Sequence, residues 1–269
     1  MKAGFYQFNP AFGKKNDNLE KVFSAIKDAD ADLIVLPEFF ATGYQFISQD
    51  EVALLSEKIP DGQTTEMLSE LSSEKRCYII AGLPERAGKV FYNSAVITGP
   101  QGFTGAYRKT HLFFEEKLYF SPGDTGFKVW NTEIGVIGIM ICFDWFFPES
   151  MRELSLMGAD IVAHPSNLVL PYCPRSMPVR CLENRVFAIT ANRTGEESRK
   201  AGQDLKYIGQ SQITSPAGDI LLRAPEDEEA LSIIDIDPLE SRNKSLNALN
   251  NLFKDRRPEM YPTIAERND

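Results

Sequence analysis

Short, nearly unbroken apolar runs alternate with segments of helical period along this chain. The runs at 3–8, 33–36, 78–81, 94–97, 134–141, 161–163 and 186–191 are mostly rich in Val and Ile and bounded by Gly, Pro or Asn. That is the pattern of strands covered on both faces. Between several of them, 16–29 places Leu19, Val22, Phe23 and Ile26 on one face, and 64–76 does the same with Met67, Leu68 and Leu71. The segment 148–157 opens on a proline suited to the first helical position, and 178–185 reads as a fourth helix. Further on the pattern changes: 206–214, 220–223 and 230–236 predict a β-meander with turns at 215–219 and 225–229. The tail, 243–269, is polar and Asn-rich with Leu252 and Phe253 as its apolar anchor. No repeat and no Gly/Ser- or Pro-rich linker divides the chain. A single domain over 1–269 is therefore expected, an α/β sandwich of two facing sheets between helical layers.

Composition narrows the class. The 269 residues are 43% hydrophobic and 25% charged, enough to bury a sizeable core without disulfides or a structural metal. A formal charge of −9 argues against nucleic acid or an anionic membrane as partner. The longest apolar stretch, 134–143, falls well short of the roughly 20 residues a membrane-spanning helix needs. Met1-Lys2 leads straight into the first predicted strand with no signal-peptide pattern, and Cys77, Cys142, Cys173 and Cys181 follow no framework or zinc spacing. Free thiols in a cytoplasmic protein are the expectation. With only His111 and His164 besides, zinc-finger and zinc-ribbon readings fail on ligand count.

Three stretches could carry chemistry. Leu33-Ile34-Val35-Leu36 runs through Pro37 into Glu38, which leaves a carboxylate at a strand end beside Phe39 and Phe40. Such an acid is either a base with raised proton affinity or a solvated loop residue. Lys109, within Tyr107-Arg108-Lys109-Thr110-His111, is either a fixed cation for a developing oxyanion or part of an exposed basic face. The third stretch is a strand ending at Cys142, followed by Phe143-Asp144-Trp145-Phe146-Phe147-Pro148-Glu149 and a predicted helix. A strand–turn–helix elbow exposes a nucleophile and aims backbone amides at its substrate, whereas most buried cysteines only pack.

Together, Leu36-Pro37-Glu38-Phe39, Tyr107-Arg108-Lys109-Thr110-His111-Leu112 and Ile141-Cys142-Phe143-Asp144 with Phe147-Pro148-Glu149 resemble the Glu-Lys-Cys motifs of the nitrilase superfamily, the carbon–nitrogen hydrolases. Supporting matches run nearly the full length: Tyr92-Asn93-Ser94-Ala95, Phe120-Ser121-Pro122-Gly123-Asp124, Gly158-Ala159-Asp160, Leu182-Glu183-Asn184-Arg185 and Ala191-Asn192-Arg193 with Gly195. Leu252-Phe253-Lys254-Asp255-Arg256-Arg257 is similar to the short stand-alone amidase/nitrilase branch of thermophilic archaea and some bacteria. The resemblance implies a four-layer αββα sandwich with Cys142 as nucleophile, Glu38 as general base and Lys109 as oxyanion-stabilising cation. It also implies a second acid between the lysine and the Phe-x-Pro-Gly signature. Counting back from Phe120 selects Glu116, which would hold Lys109. The implied reaction needs no metal or organic cofactor. It forms a thioester on Cys142, with the backbone amide of Phe143 completing the oxyanion hole, and water then releases the acid.

Substrate and partners follow less directly. Where the carbamoylase branch places arginines behind the cysteine, this chain has Asp144, Trp145 and Phe146. With Phe39, Phe113, Phe143 and Trp145 available, and Asn167 at a strand end, the expected substrate is a small uncharged amide. The expected substrate-binding residues are Phe143, Trp145 and Asn167. A small nitrile, an N-carbamoyl compound or an ω-amide is the alternative, and an inactive binding protein of the same fold is the non-enzyme reading. The presence of all four polar residues weakens the last. His111 and His164 read as structural, and Cys173 and Cys181 as packing residues. By resemblance, a homodimer or larger homo-oligomer is expected through 148–158, 178–185 and the tail.

Overall fold

The computed structural model describes residues 1–266, so the last part of the tail, 267–269, lies outside the described residues. Two six-stranded mixed sheets form the centre. The first is built from β1 (Lys2–Gln7), β2 (Leu33–Val35), β3 (Tyr78–Ala87), β4 (Val90–Gly99) and β5 (Gly102–Arg108), with helix α1 (Lys15–Ile26), the short α2 (Gln49–Leu55) and α3 (Gln63–Lys75) in its connections. After the single turn α4 (Glu116–Tyr119), the chain lays down β6 (Val129–Thr132), β7 (Gly135–Ile139), α5 (Pro148–Leu156), β8 (Ile161–Pro165), α6 (Cys173–Asn184) and β9 (Phe187–Ala191) of the second sheet. A separate two-stranded hairpin, β10 (Glu196–Lys200) with β11 (Gln203–Lys206), precedes β12 (Gln212–Thr214), β13 (Ile220–Arg223) and β14 (Ala230–Asp235).

Strand order is β14-β1-β2-β3-β4-β5 in one sheet and β13-β12-β9-β8-β7-β6 in the other. The central strands β1–β3 and β7–β9 run parallel, with antiparallel strands at both flanks. The apolar runs are continuous because both faces of these strands are covered. Ala3, Phe5, Leu33, Val35 and Ile80 join the cluster containing the second sheet, while Tyr6, Phe8, Ile34, Leu36 and Ile79 pack with Leu19, Val22, Ile26, Leu68 and Leu71 of α1 and α3. On the far side, Met151, Leu154, Met177 and Cys181 bring α5 and α6 into the inter-sheet cluster. The result is the expected four-layer αββα sandwich.

Several predicted boundaries need correction. There is no meander in the last third: β12 and β13 extend the second sheet, whereas β14 crosses over and pairs antiparallel with β1, Ala3 opposite Ile234. Lys206 belongs to the hairpin, not to β12. Helix α6 starts at Cys173 and carries Pro178 inside it instead of at its start. The proline removes the N–H that would bond to the carbonyl of Pro174, and Arg223 Nη2 donates to that carbonyl instead at 2.9 Å. The half-exposed strands β5 and β6 and the helix α2 escaped prediction for want of a strong apolar period. In the described part of the tail, Lys244 Nζ donates to the carbonyls of Asn184 (3.0 Å) and Arg185 (2.8 Å), meeting orphan acceptors at the end of α6. The Phe253 ring centre lies 4.9 Å from Lys244 Nζ and 5.5 Å from the Arg152 guanidinium.

Candidate active site

The parallel strands deliver the candidate side chains to one end of the sandwich. Leu36, just past β2, still bonds to Ile80, and Pro37 then turns the chain so that Glu38 and Phe39 leave the sheet. Phe39 has φ +51°, and the buried Asn167 Nδ2 donates to the Glu38 carbonyl at 2.8 Å, so the turn is held from the opposite sheet. Lys109 follows β5, anchored by its N–H to the Asn93 carbonyl at 2.7 Å. Cys142 follows β7 on a 3₁₀ turn over Cys142–Phe146, with φ +40°. A left-handed backbone at a non-glycine residue costs on the order of 1 kcal/mol or more and persists only where its surroundings impose it. Here Asp144 imposes it. Its buried carboxylate accepts from Ile141 N (2.9 Å), His111 N (3.0 Å) and the Tyr107 hydroxyl (2.8 Å), tying the elbow to the segment bearing Lys109. Behind it, His164 Nε2 lies 2.9 Å from the Cys142 carbonyl, and burial holds that ring down at about 4, so it stays neutral.

Three of the predicted polar groups form one buried cluster. Lys109 Nζ donates to Glu38 Oε1 at 2.7 Å and to both Glu116 oxygens at 2.8 and 2.9 Å. All three side chains are within 5% of full burial. Burial drives the Glu38 carboxyl up to about 7, with the Glu116 charge adding to it and the Lys109 ammonium opposing. For Lys109, burial pulls toward the neutral amine, but the carboxylates of Glu116 and Glu38 outweigh it and keep the ammonium. The Cys142 thiol is pushed well up, by burial first and then by the Glu38 charge, against the pull of Lys109; the Asn167 N–H is directed at its sulfur. The resting arrangement is thus a neutral thiol beside a carboxylate poised near neutrality and a fixed cation. Among the described residues Glu38 Oε2 has no hydrogen-bond partner, which leaves one oxygen able to take a proton.

Sequence reasoning left two contributors without a role. Asn93 Nδ2 donates to Glu38 Oε1 at 2.6 Å, and the Tyr44 hydroxyl donates to Glu116 Oε1 at 2.6 Å. Asn93 lies in one of the matched stretches, Tyr92-Asn93-Ser94-Ala95, so a signal was present. Tyr44 is an ordinary loop aromatic in the sequence and nothing there marks it.

The sulfur faces a narrow cleft lined by Phe113, Phe143, Trp145, Asn167, Leu168 and Val169. All three residues predicted for substrate binding are in this lining. Trp145 and Asn167 are also structural, the first packed into the inter-sheet core and the second bonded to the Glu38 carbonyl. Phe113 and Val169 are shared with a neighbouring cavity that includes Tyr44, Gln45, Glu116, Gln203 and Leu205. Neither cavity is lined by a Lys, Arg or His among the described residues. His111 lies away from the sulfur, its Nδ1 2.8 Å from Asp144 and its ring stacked on Phe147 at 3.7 Å.

Comparison with known proteins identifies the family and the fold. The family described as "Carbon-nitrogen hydrolase" matches residues 2–243. The chain is 49% identical to a "Nitrilase" of Pyrococcus abyssi over 264 residues, 97% of this chain and 99% of the relative. It is 33% identical to an "(R)-stereoselective amidase" of a Pseudomonas species over 96% of this chain and 92% of that protein. A carbon-nitrogen hydrolase from Helicobacter pylori G27 superposes with a TM-score of 0.83 at 25% identity, covering 99% of this chain and 98% of the other.

Proposed function

This chain belongs to the carbon–nitrogen hydrolase family, and from that premise we propose that it cleaves small uncharged amides to carboxylic acid and ammonia through a thioester on Cys142. The observation that carries the reading is the Lys109 ammonium clamped between Glu38 and Glu116 beside the strained turn that presents the thiol.

In the first half-reaction Glu38 takes the thiol proton as sulfur attacks the amide carbon. Lys109 and the Phe143 N–H receive the negative charge that develops on oxygen, each such donor being worth about 3 kcal/mol of barrier. The C–N bond then breaks, Glu38 returns the proton to the departing nitrogen, and ammonia leaves. In the second half Glu38 deprotonates water, hydroxide adds to the thioester, and the acid and the thiol are released. A carboxyl that titrates near 7 suits both directions of transfer. Glu116 holds the ammonium in place when Glu38 is protonated and its grip on Lys109 weakens.

The apolar lining without a basic side chain supports an uncharged acyl group, since an α- or ω-carboxylate would find no cationic partner. A nitrile can use the same sulfur by way of a thioimidate, and the 49% identity to a nitrilase favours keeping it as the second reading. The test is ammonia release from a panel of small amides and nitriles, wild type beside Cys142→Ala. Amide turnover that falls at least about 10⁴-fold in the variant is expected; retained turnover overturns the nucleophile, and turnover of nitriles alone overturns the substrate class.

We read the chain as one domain that assembles as a homodimer, or as a larger homo-oligomer built on it, in the cytoplasm. The four cysteines are free and buried, as a reducing compartment would keep them. Phe146, Val179, Leu182 and Met260 are exposed on the elbow, α6 and the tail, a surface suited to a second copy. Light scattering at no less than twice the 30.2 kDa chain mass is expected, and a monomer at micromolar concentration overturns it.

A further inference from the structure

Behind the candidate active site lies a second buried ion pair that the proposed reaction does not use. Arg193, just after β9, is fully buried, and Glu197 in β10 is nearly so. Every nitrogen of the guanidinium is engaged: Nη1 with Glu197, Nη2 with Asn9 Oδ1 (2.7 Å) and the Pro10 carbonyl (3.1 Å), Nε with the Thr194 carbonyl (3.3 Å). Glu197 accepts in addition from the Tyr207 hydroxyl (3.2 Å), from Tyr44 N (3.1 Å) and from Gln45 N (2.6 Å). The hairpin thus grips the backbone of the loop after β2. Gln45 is pinned twice more, its Nε2 donating to the Gln203 carbonyl and its Oε1 accepting from Arg199 N, both at 2.6 Å. Arg199 in turn pairs with Glu51 through both terminal nitrogens. What this clamp fixes in space is Tyr44, whose hydroxyl reaches Glu116 Oε1.

We propose that Tyr44 is a positioning residue that acts through Glu116 on Lys109, and that the Arg193–Glu197 pair and the β10–β11 hairpin hold it there. The proposal rests on the active-site reading above. Glu116 uses both oxygens on the single ammonium, so it could swing with the flexible lysine unless something else fixes it. The Phe113 N–H at 3.3 Å and Asn93 Nδ2 at 3.4 Å are long bonds to Oε2; the Tyr44 hydroxyl at 2.6 Å is the short one, and it is on Oε1. The titratable groups facing Glu116 are Lys109, Glu38, Tyr44 and Cys142. Loss of the hydroxyl removes the short bond that fixes Glu116, so Lys109 is held less firmly against Glu38. With the ammonium less firmly placed to oppose it, Glu38 keeps its proton to a higher pH. The ring itself contacts Phe39 and Tyr207 and would stay packed in a phenylalanine variant.

Tyr44→Phe is measured in two ways on the folded full-length chain. Amide turnover should fall about tenfold in kcat, the size of one hydrogen bond to a charged group, with KM changed less than about twofold and the acid limb of kcat/KM moved to higher pH. Alkylation of Cys142 by iodoacetamide, followed by peptide mass mapping across pH, should slow and show the same displaced limb. Unchanged kcat with unchanged alkylation overturns the proposal. A loss of activity with the acid limb in its original place also overturns it, since that is a packing defect alone. Because alkylation needs no substrate, a wild type that turns over no amide sinks the substrate reading while the alkylation profile still decides the role of Tyr44.

Discussion

Two buried ion pairs sit side by side in this molecule, and they are finished differently. Around Arg193 and Glu197 every charged nitrogen and oxygen has a partner. Around Lys109, Glu38 Oε2, Asn93 Oδ1 and Asn167 Oδ1 have none, three of the eight such buried atoms among the described residues. A buried polar group left unpaired costs about 1–3 kcal/mol, so three within one cluster are a standing cost. The complete network holds a loop; the incomplete one leaves acceptors and a proton site open, as the proposed reaction requires. Burial and charge are common to both, and it is the degree of satisfaction that separates scaffold from chemistry.

The largest expected effect tests the scaffold. Glu197→Ala leaves the Arg193 guanidinium buried without its anion and should cost about 3–5 kcal/mol of stability, read by urea denaturation at neutral pH. A cost below about 1 kcal/mol would mean that the pair is replaceable and that full hydrogen bonding does not mark the scaffold. The smaller effect has the opposite sign and tests the chemistry. Glu38 binds its proton more tightly folded than unfolded, about 7 against 4.5. Its contribution to wild-type stability is therefore present below about pH 4.5 and is lost as pH rises through about 7. Glu38→Gln removes that loss, so the variant should be inactive yet more stable than wild type at pH 8, by about 3 kcal/mol, with the advantage fading as pH falls from about 7 to below about 4.5. Equal stabilities at pH 8 would show that Lys109 and Asn93 fully compensate the buried charge. Carboxylate removal should thus destabilise one pair and stabilise the other.

The strands at the centre were legible because burial on both faces writes itself as unbroken apolar runs, and β1, β2, β8 and β9 fall where 3–8, 33–36, 161–163 and 186–191 placed them. Edge elements were not: β5 and β6 are half solvated, and their composition does not distinguish strand from loop. Pro178 looked like a helix start because the Arg223 bond that compensates it comes from a strand 45 positions later. The candidates Glu38, Lys109, Glu116 and Cys142 could be picked out because each sits at a strand end or in a short motif whose order along the chain survives without coordinates.

What the sequence determined by itself was the set of candidate reactive groups, the alternation that sandwiches them and the absence of basic residues just behind the cysteine. Those properties are local, carried by neighbouring residues and their period. What only the tertiary structure decided was the company those groups keep: Asn93 on Glu38, Asp144 and His164 on the elbow, Tyr44 on Glu116, and Glu197 reaching back 153 positions to the Tyr44 backbone. Hydrogen bonds depend on distances of a few tenths of an ångström between segments remote in the chain, and burial, which sets the Glu38 proton affinity, is a property of everything packed around a residue.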